Sequence, residues 1–253
     1  MKINRRAIVP VTLTLAAMLA GFYSMVHSAQ GNFEMAARLI MVSMILDGLD
    51  GLMARLLKGT TSFGAELDTF VDMTSFGLAP ALLAYQAYWH NFGGWGLTLA
   101  SFMVLSGASR LSRFRLIDPF RGQQGFLGLP ITCAGGFVTM VVFAVQSGVP
   151  EEWGWTWFDL SAGPAAWVVW IIVALMLALQ ISQVRYVKAS KHPAVFIPGI
   201  VLVIMLFIEI HVAAIAAVIL CFAALYFGLL SPFFHRPAAV PDDKPSETSA
   251  AQS

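Results

Sequence analysis

The sequence predicts an all-α, polytopic membrane helix bundle of about eight transmembrane helices, and three observations predict it. The chain of 253 residues is 58% hydrophobic and only 11% charged, with a mean hydropathy of +0.75. Long apolar runs recur along it, with no period-2 alternation of the kind a membrane barrel needs. The basic residues collect in every second connection, as the positive-inside rule demands of a multi-pass protein. A soluble globular domain is thereby excluded, and nucleic acid is not expected as a partner.

The first span is expected over 7–27, directly after Met1-Lys-Ile-Asn-Arg-Arg. That start resembles a secretory signal, but the apolar run is long enough to cross and no small-x-small cleavage site follows it. Spans two and three, 33–55 and 64–88, are joined by a short turn containing Lys58. The fourth, 95–115, ends in Arg110, Arg113 and Arg115, and the fifth covers 126–148. The connection 148–162 carries Trp153, Trp155 and Trp157, which suit an interfacial aromatic belt. Span six is 163–184. The apolar stretch 194–231 is too long for one crossing and is broken by Glu209 and His211, so it divides into 194–209 and 212–231.

Orientation follows from charge. With the N-terminus in the cytoplasm, 14 of the 15 Lys and Arg residues lie on the cytoplasmic side, and only Arg38 faces the other way. Both termini are therefore expected in the cytoplasm, which implies an even number of spans. Residues 1–234 form the integral membrane domain, and 235–253, rich in Pro, Ala, Ser and charge, are expected to be a disordered cytoplasmic tail. Cys133 and Cys221 fall inside predicted helices without paired spacing and are expected as buried thiols. The five histidines sit at predicted helix ends or in loops, as solvated or interfacial groups.

Against this apolar background stand Asp47, Asp50, Asp68 and Asp72. An ionised carboxylate in a membrane span is costly and is a functional candidate by default. Asp47 and Asp50 are i,i+3 and Asp68 and Asp72 are i,i+4, so each pair shares one face of its helix. Two facing helices would aim four hard oxygen ligands at one point, where their mutual repulsion calls for a cation. Carboxylates without clustered His or Cys favour Mg²⁺, Mn²⁺ or Ca²⁺ over Zn²⁺. A plainer reading, in which the aspartates cap helices or pair with Arg55 and Lys58, accounts for one aspartate but not for four in register.

The same stretch resembles the signature of the CDP-alcohol phosphotransferases, Asp-x2-Asp-Gly-x2-Ala-Arg-x8-Gly-x3-Asp-x3-Asp. Each fixed position is met, by Asp47, Asp50, Gly51, Ala54, Arg55, Gly64, Asp68 and Asp72. Residues 73–81, Met-Thr-Ser-Phe-Gly-Leu-Ala-Pro-Ala, resemble a Ser-Phe-Gly-x-Ala-Pro-Ala segment of the phosphatidylserine synthases of bacteria and archaea. Ser109-Arg-Leu-Ser-Arg-Phe114 and Phe126-Leu-Gly-Leu-Pro130 resemble two further segments of that group, and Gly21-Phe22 fits its first helix. The chain departs from the group at Val11 and Ala17, where asparagines are usual, and at Arg115 and Thr132, while Thr14 fits.

The resemblance implies the fold of that family and metal-dependent transfer of a phosphatidyl group from CDP-diacylglycerol to L-serine, with release of CMP, in phospholipid biosynthesis. It implies a Mg²⁺ or Mn²⁺ cofactor, a homodimer, and a place in the cell's inner (cytoplasmic) membrane among its lipids. Asp72 is then the general base taking the alcohol proton, and Asp47, Asp50 and Asp68 are metal ligands, with Asp72 sharing that role. Gly51 and Gly64 leave room for a nucleotide or a neighbouring helix, Ala54 keeps that face narrow, and Arg55 suits a phosphate or a carboxylate. Arg110 and Arg113 are candidates for the acceptor's carboxylate or a lipid phosphate, with Arg115, Arg121 and Gln123 following. Two other readings stay open. One is the same chemistry on glycerol 3-phosphate, inositol phosphate or choline. The other is a cation transporter using the four aspartates, for which the signature's Gly and Arg positions have no need.

Overall fold

The computed structural model describes residues 5–116, 126–155, 159–161, 163–186 and 193–230. The expected tail at 235–253 lies outside them, as do Arg121, Gln123, Trp157 and the side chain of Arg115. The described chain is helical almost throughout, an all-α architecture. α1 (Arg5–Ala29) and α2 (Phe33–Leu56) form an antiparallel hairpin packed along its whole length. α3 (Ser62–Val71) continues into a π-helical stretch, Asp72–Leu78, and then into α4 (Ala79–Ala87). A 3₁₀ turn, Trp89–Phe92, leads to α5 (Gly94–Leu116). α6 (Ile131–Gln146), the short α7 (Val149–Glu152), α8 (Pro164–Ile181), α9 (Pro193–Met205) and α10 (Ile210–Leu225) complete the order.

Helices occupy all eight segments expected to be spans. Among the described residues three are long and apolar enough to cross a membrane: Arg6–Ala29, Pro164–Ile181 and Ile210–Leu230. The remaining helices fall short for reasons visible in the residues. α2 carries Glu34, Arg38, Asp47, Asp50 and Arg55, the third segment carries Glu66, Asp68 and Asp72, and α6 is only 16 residues long. α6 is instead the core of the bundle, with 12 of its 16 residues buried, Phe137, Met140 and Phe143 among them. A helix apolar on all sides belongs inside.

Between helices of this kind, close packing of small residues replaces the hydrophobic effect as the source of cohesion. A methyl group placed on Gly135 of α6 would sit 2.5 Å from the Phe76 carbonyl oxygen, so α6 touches the π-helical backbone directly. Gly107 on α5 leaves the same kind of room for Ile131. One departure from an all-helical reading is a two-residue antiparallel pair, β1 (Phe126–Leu127) with β2 (Arg185–Tyr186). Gly128 follows it at φ +76°, where a Cβ would meet the Gln180 carbonyl at 2.2 Å. The Phe-Leu-Gly-Leu-Pro segment is thus a clip that holds the entry to α6 against the end of α8.

The break expected near Glu209 and His211 is an N-cap. The Glu209 side chain accepts from the Val212 backbone N–H at 3.3 Å, and His211 contacts both Glu209 and Glu152. At the far end of α2, Arg38 pairs with Glu34 and lies over the Phe143 ring.

Candidate metal and nucleotide site

Asp47 and Asp50 occupy consecutive turns near the end of α2, and Asp68 lies two turns into α3. The turn between these helices sets their approach. Lys58 takes a left-handed φ of 49°, the Gly59 N–H bonds the Ala54 carbonyl at 2.9 Å, and Thr61 caps α3 by accepting from the Gly64 N–H at 3.0 Å. Gly59 is needed because a Cβ there would meet the Arg6 carbonyl at 2.4 Å. The α2–α3 hairpin is therefore seated on the start of α1.

This geometry brings oxygens of Asp47, Asp50 and Asp68 within 4.8 Å of one another. Two carboxylates at such a distance repel by about 3–4 kcal/mol at an effective dielectric of about 20. Asp47 Oδ1 is buried without a hydrogen-bond partner, and Asp50 is 5% exposed. No ion pair joins these aspartates to Arg55 or Lys58 among the described residues. Three converging carboxylates with an orphaned buried oxygen are suited to a hard divalent cation, which would supply the missing partner and cancel the repulsion. Asp72, expected as a fourth ligand, is not in this group. It opens the π-helical stretch, within electrostatic reach of Asp68, Asp50 and Asp47 and of the buried Arg110. π-helical turns recur at functional sites.

Beside the carboxylates an open groove of about 170 Å³ runs between α1, α2 and α3. Pro10, Val11 and Thr14 line it from α1, Asp50, Gly51 and Ala54 from α2, and Gly64, Ala65 and Asp68 from α3, with Gly59, Thr60 and Thr61 at the turn. Gly51 and Ala54 form one wall. A Cβ on Gly51 would meet only the Arg55 guanidinium, at 3.6 Å, so no neighbouring helix demands glycine there. Arg55 is exposed beside that wall. Glu66 is exposed on α3.

The arginines of α5 divide. Arg110 is 6% exposed, within electrostatic reach of Asp72. Arg113 donates to the carbonyls of Ile181 and Ser182 at the end of α8, which lack helical partners. Sequence reasoning left three hydroxyls unassigned. Thr14 donates to Asp50 Oδ2 at 2.5 Å, and Ser43 and Ser75 both donate to the Ala17 carbonyl, at 2.8 and 3.4 Å. Thr14 and Ser75 were legible only as positions that fit the resemblance, and Ser43 only as a polar residue inside a predicted span.

The chain matches the model of the CDP-alcohol phosphatidyltransferase family over residues 7–231. It is 31% identical over 191 residues to a CDP-diacylglycerol–serine O-phosphatidyltransferase of Helicobacter pylori, covering 76% of each chain. A protein of the same name from Mycobacterium bovis is 27% identical over 266 residues, covering 97% of this chain and 86% of that one. Another, from Methanocaldococcus jannaschii, is 44% identical over 93 residues, 37% of this chain and 43% of that one.

Proposed function

The chain belongs to the CDP-alcohol phosphatidyltransferase family, and from that premise we propose that it transfers the phosphatidyl group of CDP-diacylglycerol to L-serine, yielding phosphatidylserine and CMP. The observation that carries this reading is the convergence of Asp47, Asp50 and Asp68 at the wall of a groove lined by the signature's own small residues. Serine as acceptor is supported by the activity for which the Helicobacter and Mycobacterium relatives are named.

Asp47, Asp50 and Asp68 would hold Mg²⁺ or Mn²⁺, whose charge serves to neutralise the diphosphate and the departing CMP phosphate. The residues of the chain do the rest. Gly51, Ala54 and Gly64 admit the nucleotide into the groove, and Arg55 at its edge binds a phosphate. Asp72 accepts the proton of the serine hydroxyl as its oxygen bonds the phosphorus bearing the diacylglycerol. The bond from that phosphorus to the CMP phosphate oxygen breaks, and CMP leaves with the electron pair. Arg110, beside Asp72, receives the serine carboxylate.

We read residues 1–234 as an eight-span catalytic domain of the cytoplasmic membrane with both termini inside, because that orientation puts 14 of 15 basic residues in the cytoplasm. The aspartates then open to the inner leaflet, where a lipid and a soluble amino acid can meet. The test is incubation of purified protein with CDP-diacylglycerol, Mn²⁺ and a panel of alcohols, following CMP and lipid product. Phosphatidylserine is the expected product; lipid formed only from glycerol 3-phosphate, inositol phosphate or choline would reassign the acceptor.

A further inference from the structure

α1 carries no carboxylate, yet it touches both helices that do. Three of its contacts share one face, at Thr14, Ala17 and Gly21, spaced i, i+3 and i+7. At the first of these, Thr14 Oγ1 lies 2.5 Å from Asp50 Oδ2, and the two residues are 4% and 5% exposed. One turn on, the Ala17 carbonyl accepts from Ser43 of α2 and from Ser75 of the π-helical stretch. A further turn on, Gly21 makes the room that Ser75 occupies.

Threonine in a membrane helix commonly turns its hydroxyl back to the carbonyl four residues earlier, and Thr14 Oγ1 is indeed 2.9 Å from the Pro10 carbonyl. A hydroxyl has one proton, however, and two acceptors compete for it here. The carboxylate is the closer and the charged one, and a hydrogen bond to an ionised acceptor is roughly twice as strong as one to a neutral carbonyl. The proton therefore goes to Asp50.

We infer that Thr14 is a positioning residue of the metal site: its hydroxyl fixes the Asp50 carboxylate from outside, and the α1 face at 14, 17 and 21 holds the two aspartate helices in register. The inference rests on the metal-site reading above. Without the hydroxyl, Asp50 loses the hydrogen bond that holds its Oδ2 from α1 and is less firmly aimed toward Asp47 and Asp68. Partners that orient a ligand from behind contribute about 10–100-fold to metal affinity.

The test is Mn²⁺ binding to the purified full-length protein in detergent without substrates, read from the free-ion signal by electron paramagnetic resonance. Wild type, Thr14→Val, Thr14→Ala, Thr14→Ser and Asp50→Asn are compared, each checked for monodisperse elution. We expect Thr14→Val and Thr14→Ala to weaken Mn²⁺ binding about tenfold or more, and Thr14→Ser, which keeps the hydroxyl, to bind as wild type. CMP release by the two weakened variants should recover at saturating Mn²⁺, a rise in the metal requirement more than a fall in kcat. Thr14→Ala stands in should Thr14→Val not fold. Wild-type affinity in both hydroxyl-free variants would overturn the inference, and so would an equal loss in Thr14→Ser, which would make the methyl the important part. No Mn²⁺ binding by wild type would instead remove the metal-site reading and this inference with it.

Discussion

Ser75 packs into the space that Gly21 leaves on α1, so closely that a methyl group at position 21 would sit 2.4 Å from Ser75 Oγ and 3.1 Å from its Cα. The contact joins the first helix to the π-helical stretch three residues beyond Asp72. Because Ser75 is fully buried and Phe76 is pressed against Gly135 from the other side, the stretch has nowhere to retreat.

Gly21→Ala should therefore lower the thermal unfolding midpoint in detergent, by an amount corresponding to about 1–3 kcal/mol of overpacking. It should also reduce CMP release by displacing Asp72. A midpoint and a turnover both equal to wild type would show that the contact has slack.

Asp47→Asn, Asp50→Asn and Asp68→Asn should each abolish CMP release while leaving an inserted, folded protein. Chelation of divalent ions should do the same to wild type, reversibly. Each substitution keeps the shape and removes a charged ligand. If all three keep more than about a tenth of wild-type turnover, a barrier change below roughly 1.4 kcal/mol, the assignment of these residues fails.

Arg110→Ala and Arg113→Ala should separate. Arg110 is buried within electrostatic reach of Asp72, so its loss should raise the Michaelis constant for serine about tenfold or more, and more than that for CDP-diacylglycerol. Arg113 is engaged with the last carbonyls of α8, so its loss should lower thermal stability and leave the serine constant near wild type. The reverse pattern, with serine binding lost at Arg113, would reassign the acceptor contact.

Single cysteines placed in the 55–62 and 185–192 connections of a variant lacking Cys133 and Cys221 should react with an impermeant thiol reagent from the cytoplasmic side. Cysteines at 151–155 should react from the other side. Labelling of both sets from one face would overturn the eight-span arrangement.

The sequence by itself determined the membrane bundle, the positions of its helical segments and the four aspartates of the signature. These are local properties: hydropathy is read within one helix length, and i,i+3 and i,i+4 spacing sets which side chains share a face. The tertiary structure alone decided how the faces meet. It brought Asp47, Asp50 and Asp68 together, with Asp72 and the buried Arg110 within electrostatic reach of each other, and it turned Arg113 to α8, 68 residues away. It joined Thr14 to Asp50 across 36 residues, and it introduced the π-helical turn at Asp72. Each of these depends on the rotation and depth at which one helix packs on another. Glycine notches and buried hydroxyls set those quantities in pairs, and periodicity along a single chain carries no trace of a pair.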